Sequence, residues 1–212
     1  SVAGSPDQNV TIQDIAGGAY LGADIPEGME PTLNETMTFD PPNFTFPFGA
    51  HLWVMEVDTE TGKAWIRDYY AVDDCGPVIN PTIVDGQLHG GLAQGIAQAL
   101  YEGAIYDEDG NLVTGSMVDY MIPGAPELPN FTLDRRGTPS PSNPLGVKGV
   151  GEAGTIGAPP AVINGIIDAL SPLGVKHIDM PALPMRVWNA IQDAQGNGAA
   201  SGEYAAAFGS RE

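Results

Sequence analysis

The helix that opens at Asn80-Pro81 constrains this chain most, because it combines a strict apolar stripe with four interior glycines. Asn is a strong N-cap and Pro suits the first helical position, so the sequence predicts a helix from residue 81 to about Glu102. Val84, Leu88, Leu92, Ile96 and Leu100 recur every four residues and form one stripe that drifts slowly around the axis. Gln87, Gly91, Gln94 and Gln98 fall on another face. Gly86, Gly90, Gly91 and Gly95 each cost roughly 1 kcal/mol of helix propensity against Ala. A helix carrying all four needs a packing reason, so something large is expected against that face.

Around this helix the pattern alternates irregularly. Thr11 begins a Thr-x-x-Asp capping box, with Ile15, Ala16, Ala19 and Tyr20 at helical spacing behind it. Residues 33–39 read as a strand. Residues 50–57 and 63–72 are rich in Val, Trp, Ile and Tyr, and Asp58-Thr59-Glu60-Thr61-Gly62 between them has turn chemistry, so a β-hairpin is expected. A short strand follows at 131–135, and Pro159-Pro160 are expected to open a helix through Leu170. A last helix over 185–194 should bury Val187, Trp188 and Ile191. Strands and helices mixed in this way favour an α+β fold, with mixed sheets and packed helices, over regular βαβ winding. One domain is expected over residues 1–194, followed by a disordered Ala/Gly/Ser tail over 195–212.

Composition narrows the function. With 27 acids against 8 Lys plus Arg the formal net charge is -19, which repels nucleic acid and anionic lipid. The single Cys75 excludes an internal disulfide framework and any Cys-based metal cage within the chain. No run of about 18 apolar residues stands out in the sequence, so no membrane span is expected. The expected location is the cytoplasm, with the inner face of the membrane as a peripheral alternative. The first residue is not Met and falls in what reads as a loop, so the chain is expected to be a domain of something longer. The acids at 107–111 are spaced a little like a calcium loop but lack its closing Glu, so this segment reads as a solvated turn.

The residues most suited to chemistry lie in Gly146-Val147-Lys148-Gly149-Val150-Gly151-Glu152-Ala153-Gly154, where one carboxylate stands among glycines. Such a backbone approaches another molecule closely and presents amide N–H groups beside an acid. Gly149-x-Gly151-x-x-Gly154 matches the dinucleotide fingerprint letter by letter, but prolines precede and follow it where a strand and a helix are required. The Walker order of glycines and lysine is absent as well. A bland reading remains: a tight loop whose Glu152 points to water or caps a helix beginning near Ala158.

Three separated runs then point elsewhere. Asp73-Asp74-Cys75-Gly76-Pro77-Val78-Ile79-Asn80-Pro81, Asp85-Gly86-Gln87-Leu88-His89-Gly90-Gly91-Leu92-Ala93-Gln94-Gly95 and Val147-Lys148-Gly149-Val150-Gly151-Glu152-Ala153 resemble the C-terminal, molybdopterin-binding region of molybdenum hydroxylase large subunits, the xanthine dehydrogenase and aldehyde oxidase family. Pro41-Pro42-Asn43-Phe44-Thr45-Phe46-Pro47-Phe48-Gly49-Ala50-His51 and Asn143-Pro144-Leu145-Gly146 resemble most the aerobic carbon monoxide dehydrogenase branch. The resemblance covers roughly residues 5–192, in order and spacing.

It implies an oxidoreductase that uses water-derived oxygen, with Glu152 as general base and its pKa raised by an apolar, glycine-walled pocket. It also implies molybdenum–molybdopterin cytosine dinucleotide held by Gln87 and by the backbone N–H groups of Lys148, Gly149, Val150 and Gly151, with no metal ligand in the chain itself. The glycine-rich helix face would pack on this cofactor. Gln87 has a plainer reading as a surface residue, and Asp73, Asp74 and Asn80 are explained as turn and cap residues. His89 is expected in the core. Carbon monoxide chemistry in that branch adds copper on a cysteine upstream of everything present here. The implied partners are the rest of the large subunit, an iron–sulfur small subunit and an FAD-binding medium subunit, in a dimer of heterotrimers. On this reading the chain alone is inactive. An aldehyde or N-heterocycle substrate, or a non-catalytic assembly role, are the alternatives.

Overall fold

A computed structural model describes residues 3–22 and 25–197. The expected tail lies mostly outside them, although residues 195–197 still close the last helix through bonds such as Gln195 N–H to Ile191 O at 3.1 Å. Two compact units, Ser1–Pro41 and Pro42–Glu212, divide the chain. In the first, helix α1 spans Ile12–Leu21, and the capping box forms as the sequence dictates: Asp14 N–H donates to Thr11 Oγ1 at 3.1 Å, and Thr11 N–H donates back to the Asp14 carboxylate at 3.3 Å. The strand expected at 33–39 does not form. Strand conformation is stabilised by a ladder, and this segment finds no partner among the described residues.

The second unit is built on a three-stranded mixed sheet ordered β1-β2-β3. Strands β1 (Phe48–Val57) and β2 (Ala64–Asp74) make the expected hairpin, and β3 (Phe131–Arg136) adds parallel to β2. The pairing shifts between Val54 and Met55, leaving Arg67 as the extra residue on β2. Because a strand alternates faces with period two, this bulge flips the phase: Ala64 and Ile66 are buried before it, Tyr69, Ala71 and Asp73 after it. The opposite face stays open among the described residues, with Leu52, Val54 and Tyr70 exposed.

Helix α2 spans Pro81–Leu100, capped by the Asn80 side chain accepting from Ile83 N–H, and its stripe from Val84 to Leu100 is buried throughout. Helix α3 spans Ala153–Leu170 and so starts earlier than expected, with Pro159 and Pro160 inside it. The prolines interrupt the helix without starting it, because tertiary contacts on both faces hold the turn in front of them. With its following turn α3 is long and apolar enough to cross a membrane by composition alone, an exception to the expectation from sequence. Here Ala158, Val162, Ile166 and Leu170 are buried in the core with Leu92, Ile96 and Tyr69. Helix α4 (Pro184–Ala194) closes the core with Val187 and Ile191, while Trp188 is only half-buried.

The glycines of α2 divide into two pairs. A Cβ on Gly91 would lie 3.0 Å from Thr155 N, and one on Gly95 would lie 2.8 Å from the Ala158 Cβ, so these two admit α3. Gly154 reciprocates from α3, where a Cβ would lie 2.7 Å from Leu92 N and 2.8 Å from Leu88 O. For Gly91 and Gly95, then, the large neighbour is a helix and not a cofactor. Gly86 and Gly90 face open space.

Candidate cofactor-binding site

The glycine loop is tied to the end of β2 by a buried ion pair. Lys148 Nζ lies 3.0 Å from Asp74 Oδ1, their side chains 7% and 2% exposed, and 4.9 Å from the centre of the Phe48 ring. Asp74 also accepts from Thr138 N–H and Gly76 N–H at 2.9 Å each. These bonds, that from Thr138 foremost, outweigh burial and hold its carboxyl well below the usual carboxylate range. Asp74 is therefore the loop's anchor and not a plain turn residue. Lys148 N–H, expected to be free for a cofactor, donates to Cys75 O at 2.9 Å. Asn143 fixes the preceding turn by bonding both backbone groups of Val147. The sequence signal for this anchor was present only as an acid and a base far apart in the chain.

Beyond Lys148 the loop changes character. The N–H groups of Gly149, Val150, Gly151 and Glu152 have no acceptor among the described residues. Among the described residues nothing lies within 4 Å of a Cβ built on Gly149 or Gly151. The Val150 side chain packs with Cys75, Val84 and Leu88, which fastens the loop to α2 while leaving its amides outward. Glu152 is the N-cap residue of α3, yet its carboxylate makes no capping bond and is exposed. The capping alternative is therefore not realised, and Glu152 stands exposed on the rim of a cavity with apolar walls, not enclosed by them.

Glu152 and the free amides line one side of a cavity of about 770 Å³, with Phe46, Phe48 and Trp53 on another. Its floor holds two residues that sequence reasoning passed over, His51 and Asp73. His51 Nδ1 lies 2.8 Å from Tyr69 Oη, and its Nε2 lies 3.4 Å from Asp73 Oδ1. Alternation in β1 put His51 on the core face, but only strand pairing brings Asp73 and Tyr69 to it.

Two other expectations fare differently. Gln87 is on the exposed face of α2 beside Gly86 and Gly90, outside this cavity and without a side-chain hydrogen bond among the described residues. His89 is not in the core: it is exposed, with Nδ1–H donating to Asp85 O at 2.7 Å and its ring edge-on to Phe131. The helix stripe passes through Leu88, which leaves the next residue turned outward. Among the described residues no three His, Cys, Asp or Glu side chains converge on a metal position. What the site offers is a run of amide donors, an open glycine wall and one uncommitted carboxylate, which suits a large polar cofactor edge rather than a bare ion.

Comparison with known proteins agrees with that chemistry. A family model described as a molybdopterin cofactor-binding domain matches residues 1–129. The chain is 42% identical over 192 residues to the carbon monoxide dehydrogenase large chain of Hydrogenophaga pseudoflava, covering 91% of this chain and 24% of that protein. It is also 42% identical over 200 residues to the nicotine 6-hydroxylase large subunit of Paenarthrobacter nicotinovorans, covering 92% and 24%. Among solved structures, a copper- and molybdenum-containing carbon monoxide dehydrogenase superposes with a TM-score of 0.82 at 40% identity, covering 92% of this chain and 24% of that one. Quinoline 2-oxidoreductase from Pseudomonas putida 86 gives the same TM-score at 41% identity, covering 91% and 25%. The chain thus spans about a quarter of the length of these relatives. With the family model covering more than half of its residues, the chain belongs to the molybdopterin cofactor-binding domain family.

Proposed function

We propose that this chain is the molybdopterin-binding part of a molybdenum hydroxylase large subunit of the carbon monoxide dehydrogenase type, and that Glu152 is its active-site base. The observation that carries the reading is the uncapped Glu152 carboxylate beside four amide N–H groups that have no acceptor among the described residues, on one cavity wall. A helix N-terminus normally uses such an acid for its own amides, so leaving it free is a cost that a function explains. The apolar outer face of the sheet, with Leu52, Val54 and Tyr70 exposed, supports a place inside a larger subunit.

When bound, the cofactor, proposed to be molybdopterin cytosine dinucleotide, supplies two-electron redox chemistry with water as the source of oxygen. The amides of Gly149, Val150 and Gly151 donate to it. Gln87 contacts it from α2, beside the open backbone at Gly86 and Gly90, whose missing side chains admit a broad neighbour. Lys148 contributes by anchoring the loop through Asp74. Glu152 accepts the proton released in the reaction. Where carbon monoxide is the substrate, copper is held outside this chain, because the one thiol, Cys75, is buried and outside the cavity. Electrons leave through iron–sulfur and flavin partner subunits in a dimer of heterotrimers located in the cytoplasm or at the inner face of the membrane.

The test is Glu152→Gln in the complete, reconstituted enzyme. Turnover should be lost while molybdenum is retained, and near-normal turnover with full molybdenum would refute the assignment. An N-heterocycle as substrate is the second reading, favoured by equal identity to a nicotine hydroxylase and a close fit to a quinoline oxidoreductase. Assaying the complete enzyme with carbon monoxide, quinoline and nicotine decides between the two.

A further inference from the structure

Glu152 sits on a turn that is poorly tied to the rest of its own helix. Ile156 N–H donates to Glu152 O at 2.9 Å. Pro159 and Pro160, however, lack the N–H groups that would close onto the carbonyls of Thr155 and Ile156, so two successive rungs are missing just behind it. The position of this turn must come from outside α3. One support is α2, against which Gly154 lies. The other is a single imidazole: a Cβ on Gly157 would overlap the His51 ring, so the helix backbone rests directly on it.

That ring is held at both nitrogens by groups shut away from water. The His51 and Asp73 side chains are 6% and 3% exposed, and Tyr69 is fully buried. Burial, reinforced by the charge of Asp73, pushes the Tyr69 hydroxyl above its ordinary range, so it keeps its proton and has one to donate. The Asp73 carboxylate can only accept, so the neutral ring carries its proton on Nε2, facing Asp73, and leaves Nδ1 to accept from the Tyr69 hydroxyl. Asp73 can reach the ring because the residue paired with it across the sheet is Gly49, where a Cβ would overlap Oδ1. Its second oxygen, Oδ2, has no partner among the described residues, so none of them draws the carboxylate away.

We infer that His51, held as the Nε2–H tautomer between Tyr69 and Asp73, is a positioning residue that carries the Glu152-bearing turn of α3. Its effect on catalysis rests on the proposed role of Glu152, whereas the platform itself does not. Nitrogen-15 spectra of the histidine-labelled 212-residue chain should show Nδ1 unprotonated and Nε2 protonated, and Tyr69→Phe should shift the Nδ1 resonance. His51→Phe, which keeps the bulk but not the bonds, should speed amide exchange at residues 155–158 by about tenfold or more, with residues beyond Pro160 unchanged. A proton on Nδ1, or exchange at 155–158 equal to that of the parent chain, would overturn the inference. If His51→Phe does not fold, Tyr69→Phe carries the exchange test with the same local pattern. In the complete enzyme His51→Phe should lower kcat with KM and molybdenum content unchanged. Normal turnover in Glu152→Gln refutes the base alone, and the spectra and exchange rates then still decide the platform.

Discussion

Adding one methyl group at Gly154 should loosen the α2–α3 crossing measurably, although Ala is the better helix former. The built Cβ would lie 2.7 Å from Leu92 N, 2.8 Å from Leu88 O and 3.0 Å from Gly91 C, all of them backbone atoms with no rotamer to relieve the overlap. Restoring ordinary contact requires the two helices to separate by ~0.7 Å, enough to forfeit a quarter to a half of the dispersion energy at each affected contact. Overpacking of this kind costs about 1–3 kcal/mol, with the upper end favoured where only backbone can move. Against it stands the propensity gain of Gly→Ala, less than about 1 kcal/mol because Gly154 is in the first turn. The net loss is about 1–2 kcal/mol, which for a chain of this size lowers Tm by roughly 2–8 °C. Gly86→Ala and Gly90→Ala are the matched controls, since nothing lies within 4 Å of either built Cβ. Each should raise Tm by up to roughly 4 °C. Calorimetric unfolding of the three variants against the parent checks the ranking. A Gly154→Ala chain as stable as the parent would refute the close-crossing argument.

Other outcomes follow from the same geometry. The folded state holds the Asp74 carboxyl below its ordinary 3.8, so its contribution to stability is full above that pH and is lost as pH falls towards the lower folded value. Asp74→Asn should therefore lower the unfolding midpoint at pH 7 and flatten its fall below about pH 4, as read from a pH series of thermal melts. Leu92 is completely buried at the helix crossing, and Leu92→Ala should cost about 2–5 kcal/mol in denaturant unfolding. On the role proposed for Gln87, Gln87→Ala in the complete subunit should weaken cofactor retention by roughly 2- to 10-fold, measured as molybdenum content after dialysis.

The candidate site was legible in proportion to how local its determinants are. Glu152 and its glycines stand within a few residues of one another, so an acid beside amide donors at 149–151 could be anticipated, whereas the Lys148 N–H, expected with them, is taken by Cys75 O and the acid is exposed. The Asn80 cap and the Thr11 box are bonds across three positions, and both form as read. The start of α3 was misplaced because Pro159-Pro160 is a strong local signal for a helix start, and that signal was overridden by contacts from α2 and from β1. His89 was misplaced although the stripe through Leu88 already turns the next residue outward: an aromatic ring was given more weight than helical phase.

What the sequence determined by itself was the set of elements with periodic or capped patterns: the hairpin, the striped helix α2, and a glycine loop carrying one free acid. Tertiary structure decided which glycines serve packing and which leave space, since Gly91 and Gly86 are alike until α3 lies against one of them. It also decided that Asp74 meets Lys148 and that His51 meets Asp73 and Tyr69, pairs separated by 74, 22 and 18 positions. Caps and stripes depend on neighbours along the chain, where geometry follows from backbone dihedrals alone. Buried ion pairs and relays depend on strand register and helix crossing, which exist only once the core has closed.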